Sequence, residues 1–276
     1  MSDVKEKLLQ SLASRDINEI IDAIASSPTP AIAVALDDEH NTILHLAAKQ
    51  GNVVLIKHLV GYDWPTPIDL NIQNENGFSP LHVAAIEEHT EAIEALLSCG
   101  ANPLSKDGHG RTVIHWVAEK GLEDITIRML SNLNTDVNTP DLFGRTVLHW
   151  AAKRKLQKLA SYICSRPDVN INATTNGGET ALHWASLEKS RDMIDILLRA
   201  NADTLIRNHN GQTVADVTCD AAVKTLLEEK MKEAQEKRDK EDPYKVKGES
   251  SASTAFVKEV KPQQAAKKMK ITLKKK

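Results

Sequence analysis

The chain has 276 residues, 41% of them hydrophobic but only 4% aromatic, with a net charge of −3. A core is therefore affordable, built mostly from Ala, Leu, Ile and Val. No apolar run approaches the ~18 residues of a membrane helix, and no charged-then-apolar start of the signal type is present. The three cysteines, Cys99, Cys164 and Cys219, lie far apart and point to reduced thiols in the cytosol or nucleus rather than a disulfide framework or metal site.

In chain order, residues 4–13 and 16–26 read as two amphipathic helices. Leu8, Leu9 and Leu12 mark one apolar face, and Ile17, Ile20, Ile21 and Ile24 the other. Ser-Pro-Thr-Pro at 27–30 ends the pair. A five-letter phrase then returns five times: Thr42-Ile-Leu-His45-Leu, Ser79-Pro-Leu-His82-Val, Thr112-Val-Ile-His115-Trp, Thr146-Val-Leu-His149-Trp and Thr180-Ala-Leu-His183-Trp. Its histidines are 37, 33, 34 and 34 residues apart, and a decayed sixth copy from Thr213 has Asp216 in place of His. A period in this range signals a stacked array, which presents an extended surface rather than a closed pocket.

Each unit reads as a turn, a short helix capped by Thr or Ser, a short loop, a longer helix and a return loop. In the fifth copy, Asn176-Gly177-Gly178 supplies the turn, and Met193, Ile194, Ile196, Leu197 and Leu198 mark the second helix. The step of 37 residues places extra chain in the first return loop, Gly61–Pro67. The pattern resembles the ankyrin repeat over roughly residues 37–227. Gly77, Gly110, Gly144, Gly178 and Gly211 stand where that family places its hairpin glycine. Ala47-Ala48, Ala84-Ala85 and Ala151-Ala152 match its small pair, and Ser98–Asn102 and Arg199–Asp203 its closing phrase. The departures are His40 for the first hairpin glycine, Val117-Ala118 for the third Ala pair, and Glu88, Lys155 and Lys189 where Gly51 and Gly121 mark the inter-helix turn.

The resemblance implies an all-α solenoid. Residues 1–36 form the N-terminal cap, 37–229 the array of five full units and a degenerate sixth, and 230–242 a charged helical extension in which Glu and Lys alternate. Residues 243–276 hold too few apolar side chains to fold alone.

The five phrase histidines, His45, His82, His115, His149 and His183, are expected to tie neighbouring hairpins together, as in the family. A ladder one repeat apart does not converge on a metal, so no metal or cofactor is expected. Trp116, Trp150 and Trp184 follow three of these histidines. Their size favours inter-repeat packing over an open aromatic groove. Phe78 and Phe143 flank hairpin glycines, with Leu142 beside Phe143, where an apolar residue has little core to fill. With Arg111, Arg145 and Glu179 at equivalent positions of successive units, they are the candidate partner-binding residues. Lys153-Arg154-Lys155 fits either a solvated face or the rim that selects an acidic partner.

The tail carries ten lysines against two acids, a net +8, which leaves −11 on residues 1–242. Its cluster Lys267, Lys268, Lys270, Lys274, Lys275 and Lys276 reads as nuclear targeting, as an anion-binding arm, or as a solubilising end. No Gly-x-Gly-x-x-Gly, phosphate loop, Gly-x-Ser-x-Gly or His-Glu-x-x-His occurs. The chain is thus expected to be a non-catalytic, intracellular, monomeric scaffold that binds a protein partner on its concave face. The alternative is a nuclear factor held to chromatin or nucleic acid by the lysine tail.

Overall fold

The computed structural model describes residues 2–14, 16–25, 35–64, 68–132 and 135–241. Helices α1 (Ser2–Ser14) and α2 (Ile17–Ala25) pack on each other. They bury Leu8, Leu12, Ile20, Ala23 and Ile24. Five helix pairs follow: α3 (Ile43–Lys49) with α4 (Val53–Gly61), α5 (Pro80–Ile86) with α6 (Thr90–Ser98), α7 (Val113–Glu119) with α8 (Glu123–Asn132), α9 (Val147–Arg154) with α10 (Gln157–Cys164), and α11 (Ala181–Leu187) with α12 (Arg191–Arg199). The last helix is α13 (Ala221–Glu241). Residues 1–235 cluster as one compact unit; of the second, 236–276, only 236–241, the end of α13, are described.

Each first helix starts at the Thr or Ser of the phrase. Its hydroxyl takes the backbone N–H three residues on, and the histidine ring reaches back to the N–H of the cap, a reciprocal capping box in all five units. The box explains why such short helices hold: it satisfies donors that a seven-residue helix would otherwise leave open. Behind it, the small pairs let first helices approach closely, and Ala47, Ala48, Ala84, Ala85, Ala151 and Ala152 are fully buried. In the third unit Val117 and Ala118 do the same. Leu44, Leu81, Ile93, Leu96 and Ile163 fill the space between helices, each burial worth about 1.5–3 kcal/mol.

The hairpins stack through backbone bonds from tip to tip. Glu75 N–H donates to Glu39 O, Gly108 to Asn76, Leu142 to His109, Asn176 to Phe143 and His209 to Gly177. The approach is close enough to demand glycine beside it. A Cβ on Gly77 would lie 2.6 Å from Gly108 N, and one on Gly144 2.9 Å from Asn176 N. Among the described residues no strand forms; two isolated antiparallel bridges, Lys106 to Thr112 and Thr174 to Thr180, are what the hairpins contribute.

The departures from the repeat pattern have local accounts. In the longer first return loop, Trp64 packs at a tilt against Tyr62, with centroids 4.2 Å apart, and donates its indole N–H to Leu59 O at 2.7 Å. In the sixth unit the first helix shortens to a turn at 214–216. Asp216 there accepts from both the N–H (2.8 Å) and the hydroxyl (2.7 Å) of Thr213. It keeps the inward half of the histidine's work.

Candidate binding face

The outward half of that work is the bond to the next unit. His45 Nε2 lies 2.9 Å from Phe78 O, His82 Nε2 3.3 Å from Arg111 O, His149 Nε2 3.1 Å from Glu179 O, and His183 Nε2 3.3 Å from Gln212 O. In each case the acceptor is the residue just before the next Thr or Ser. His115 differs and reaches Thr139 O at 3.1 Å. Because each Nδ1 accepts the cap N–H, the proton sits on Nε2, which donates across the unit boundary. Burial lowers the pKa of all five rings, to about 4 for His115. The rings are therefore neutral mortar, committed on both nitrogens.

That arrangement brings four of the candidate residues into one column. Phe78, Arg111, Arg145 and Glu179 each occupy the position before the phrase, so their side chains emerge from the hairpin base onto the first-helix surface. There they meet the tryptophans. Phe78 packs edge-on to Trp116 with centroids 5.7 Å apart. The Arg111 guanidinium lies 4.6 Å from the Trp116 ring and 5.6 Å from Trp150. Arg145 lies 4.5 Å from the Phe143 ring and 4.9 Å from Trp150. Lys153 Nζ lies between Trp150 (5.3 Å) and Trp184 (5.5 Å), and these two indoles meet edge to face at 5.7 Å. The result is a continuous strip of alternating cations and rings across units two to five.

The strip is braced by acids. Arg111 Nη1 pairs with Glu119 Oε2 at 2.7 Å, and Arg145 Nε donates to Asp141 Oδ2 at 2.6 Å. Trp116 Nε1 donates to Asp107 Oδ2 and Trp184 Nε1 to Glu179 Oε2, both at 2.9 Å. Asp107 and Asp141 are buried, and their other oxygens accept two backbone N–H groups of their own hairpins. Asp107, Glu119 and Asp141 were not among the sequence candidates. A signal for the aspartates exists: the residue five before each phrase is Asp37, Asn74, Asp107, Asp141, Thr175 or Asn208, always a side chain able to cap the hairpin.

The candidates differ in availability. Leu142 (66%) and Phe143 (47%) are among the most exposed large apolar side chains, with His109 stacked on the Phe143 ring. Lys153, Arg154 and Lys155 are exposed at the end of α9. Phe78 departs from the expectation of a free tip: it is half-buried against the core, edge-on to Trp116. Trp150 is buried, while Trp116 and Trp184 are half-buried. The tryptophans thus pack between units and also floor the strip. The cluster Lys267, Lys268, Lys270, Lys274, Lys275 and Lys276 lies outside the described residues.

Among the described residues no group of three His, Cys, Asp or Glu side chains could hold a metal, and no helix is long and apolar enough to cross a membrane. The cysteines are free, and burial pushes the Cys164 thiol up to about 11.

A stacked helix-pair array with one side-chain-rich face defines a repeat scaffold. The comparisons fix which one. A family model described as ankyrin repeats (3 copies) matches residues 8–107 and 99–175, and the ankyrin repeat model matches 177–209. The chain belongs to the ankyrin-repeat family, whose members are protein–protein interaction modules and generally non-catalytic. Among curated proteins it is 34% identical over 89 residues to human B-cell lymphoma 3 protein, covering 32% of this chain and 20% of that one. It is 33% identical over 113 residues to mouse NF-kappa-B inhibitor delta, covering 41% and 34%. The chain thus spans well under half of these relatives. Among solved structures, it matches a chain from Bd0816 predatory endopeptidase of Bdellovibrio bacteriovorus in complex with immunity protein Bd3460, with 29% identity, a TM-score of 0.60, and 69% and 98% of the two chains covered. The human ASB11 ankyrin repeat domain shares the fold, with a TM-score of 0.64 at 20% identity over 80% of this chain and 95% of that one.

Proposed function

We propose that this chain is a non-catalytic intracellular scaffold that binds a protein partner on its hairpin and first-helix face. Leu142 and Phe143 are the apolar anchors. Arg111 and Arg145 hold the strip beneath them, Phe78 and Glu179 close its two ends, and Lys153 and Arg154 form the rim. The observation that carries the reading is the exposed Leu142–Phe143 pair, set directly beside the cation–ring strip. A monomeric surface seldom leaves such side chains next to a polar rim without a use. The mechanism is preorganisation, since rings and guanidinia held in a rigid stack lose little entropy on binding. The names of the relatives support this class of role: the mouse protein is by name an inhibitor of another protein.

A photoreactive side chain at position 142 tests the assignment. It should cross-link a protein from cell extract. The same group at Glu94, on the second-helix side, should not, and Phe143→Ala should weaken the partner. Hot-spot truncations cost about 2 kcal/mol or more. Cross-linking from position 94 alone, or unchanged affinity in a folded Leu142→Ala/Phe143→Ala protein, would rule out this face.

A further inference from the structure

Which partner the face takes follows from the occupancy of its rings and the pairing of its charges. An open aromatic groove attracts cations to its ring faces. Here those faces are already covered from within: Arg111 sits on Trp116 and Trp150, Arg145 on Phe143 and Trp150, and Lys153 between Trp150 and Trp184. A cationic partner would meet like charge at each ring. The covered faces also remove the stacking platforms that single-stranded nucleic acids use.

The acids of the strip are committed. Asp141 binds Arg145, Glu119 binds Arg111, Asp107 takes the Trp116 N–H and Glu179 that of Trp184. At the end of α9 what remains outward is basic: Lys153, Arg154 and Lys155 are exposed and have no ion-pair partner among the described residues, whereas Glu87 and Glu188 stand at the corresponding helix ends of units two and five. The hairpin tips of units three to six, Gly108-His109, Leu142-Phe143, Asn176-Gly177 and His209-Asn210, carry no carboxylate. On residues 1–242, whose net charge is −11, this is a local basic and apolar island.

Resting on the interface reading above, we propose that the partner is an acidic protein segment. It lays an apolar side chain against Leu142 and Phe143 and carboxylates against Lys153, Arg154 and Lys155. The acidic remainder of the array repels the same segment elsewhere, so charge sets the register while the apolar tip anchors it.

The test pans a random-peptide display library on the full-length chain and measures the selected peptides by fluorescence anisotropy. Selected sequences should be rich in Asp and Glu beside a Leu, Ile or Phe. Charge reversal by Lys153→Glu with Arg154→Glu should weaken them by about tenfold or more, because reversal turns attraction at the rim into repulsion. The same reversal in the tail, Lys268→Glu with Lys270→Glu, should leave their affinity unchanged. Neutral or basic peptides, or acidic ones indifferent to the α9 reversal, would overturn the proposal. If those peptides still weaken on Leu142→Ala with Phe143→Ala, the interface stands and only its charge preference fails. If they bind every variant alike, both readings fall. Single-stranded oligothymidine that binds the wild type and is lost on the α9 reversal would overturn the proposal in favour of a nucleic-acid surface.

Discussion

Each repeat histidine makes two demands on its protonation state. Nδ1 must stay bare to accept the cap N–H, and Nε2 must keep its proton to reach the next unit. A second proton would break the first of these in a buried site, and burial is the largest cause of the lowered pKa of all five rings. The unfolded chain takes up protons on these rings as pH falls below the ordinary value of 6.5, whereas the folded array refuses them at His115 until about 4. Stability is thus full above that upper value and falls with acid across the window, by at most about 1.4 kcal/mol per pH unit for each ring. The melting temperature should therefore drop between neutral pH and pH ~5. His115→Gln should be less stable at neutral pH yet show a shallower decline with acid. A decline of unchanged slope would show that His115 takes no part. Asp216 is nature's version of the complementary change: it keeps the local cap, and among the described residues no further hairpin follows for it to reach.

At the scale of the helix pair, the turn between helices requires a left-handed residue. Gly51 and Gly121 supply it at φ of 65° and 81°. Glu88, Lys155 and Lys189 adopt the same conformation, at 61°, 58° and 54°, although they carry a Cβ. That conformation costs a non-glycine residue about 1–2 kcal/mol, offset in part by the extra ~0.5–1 kcal/mol of chain entropy that glycine loses. Glu88→Gly and Lys189→Gly should each raise stability by up to about 1 kcal/mol in denaturant titrations; a loss would mean that these side chains make contacts worth more than the strain. The sequence showed those three positions as departures from the repeat, and the period and phrase made the helix pairs plain, because every unit repeats the same caps and small pairs. The strip was only half legible. Arg111, Arg145 and Glu179 stood out by alignment, but Asp141 lies four residues from Arg145 in a hairpin whose fold alone sets them 2.6 Å apart. Phe78 and Phe143 looked alike beside their glycines, but Phe78 follows Gly77 at the hairpin base, against Trp116 of the next unit, whereas Phe143 precedes Gly144 at the tip and stays half exposed.

At the scale of the array, the first helices stack without a break, α3 on α5, α5 on α7, α7 on α9 and α9 on α11. The second helices do not. α4 packs on α6, α8 on α10 and α10 on α12, while α6 meets α8 more sparsely. Between them lies a crevice of about 660 Å³ lined by Leu97, Ala101, Pro103, Ile125 and Met129 and spanned by the Glu94–Arg128 ion pair. An exposed pair of this kind contributes little, so the junction of units two and three rests mainly on α5 against α7 and on the hairpin contacts beside them, Gly108 to Asn76, His82 to Arg111 and Phe78 against Trp116. In an array stabilised by nearest neighbours, the weakest interface decides where cooperative opening divides. Nothing in the apolar pattern of α6 or α8 announces the gap, since both carry ordinary core residues. Ile56→Ala in α4 removes a fully buried side chain and should cost about 2–5 kcal/mol. Hydrogen exchange should then quicken across α3–α6 while α9–α12 keep their protection; Ile163→Ala in α10 should do the reverse. Equal acceleration along the whole array in either variant would show that the first-helix stack carries cooperativity across the crevice, and that the proposed binding face, which spans it from Phe78 to Glu179, opens only as one body.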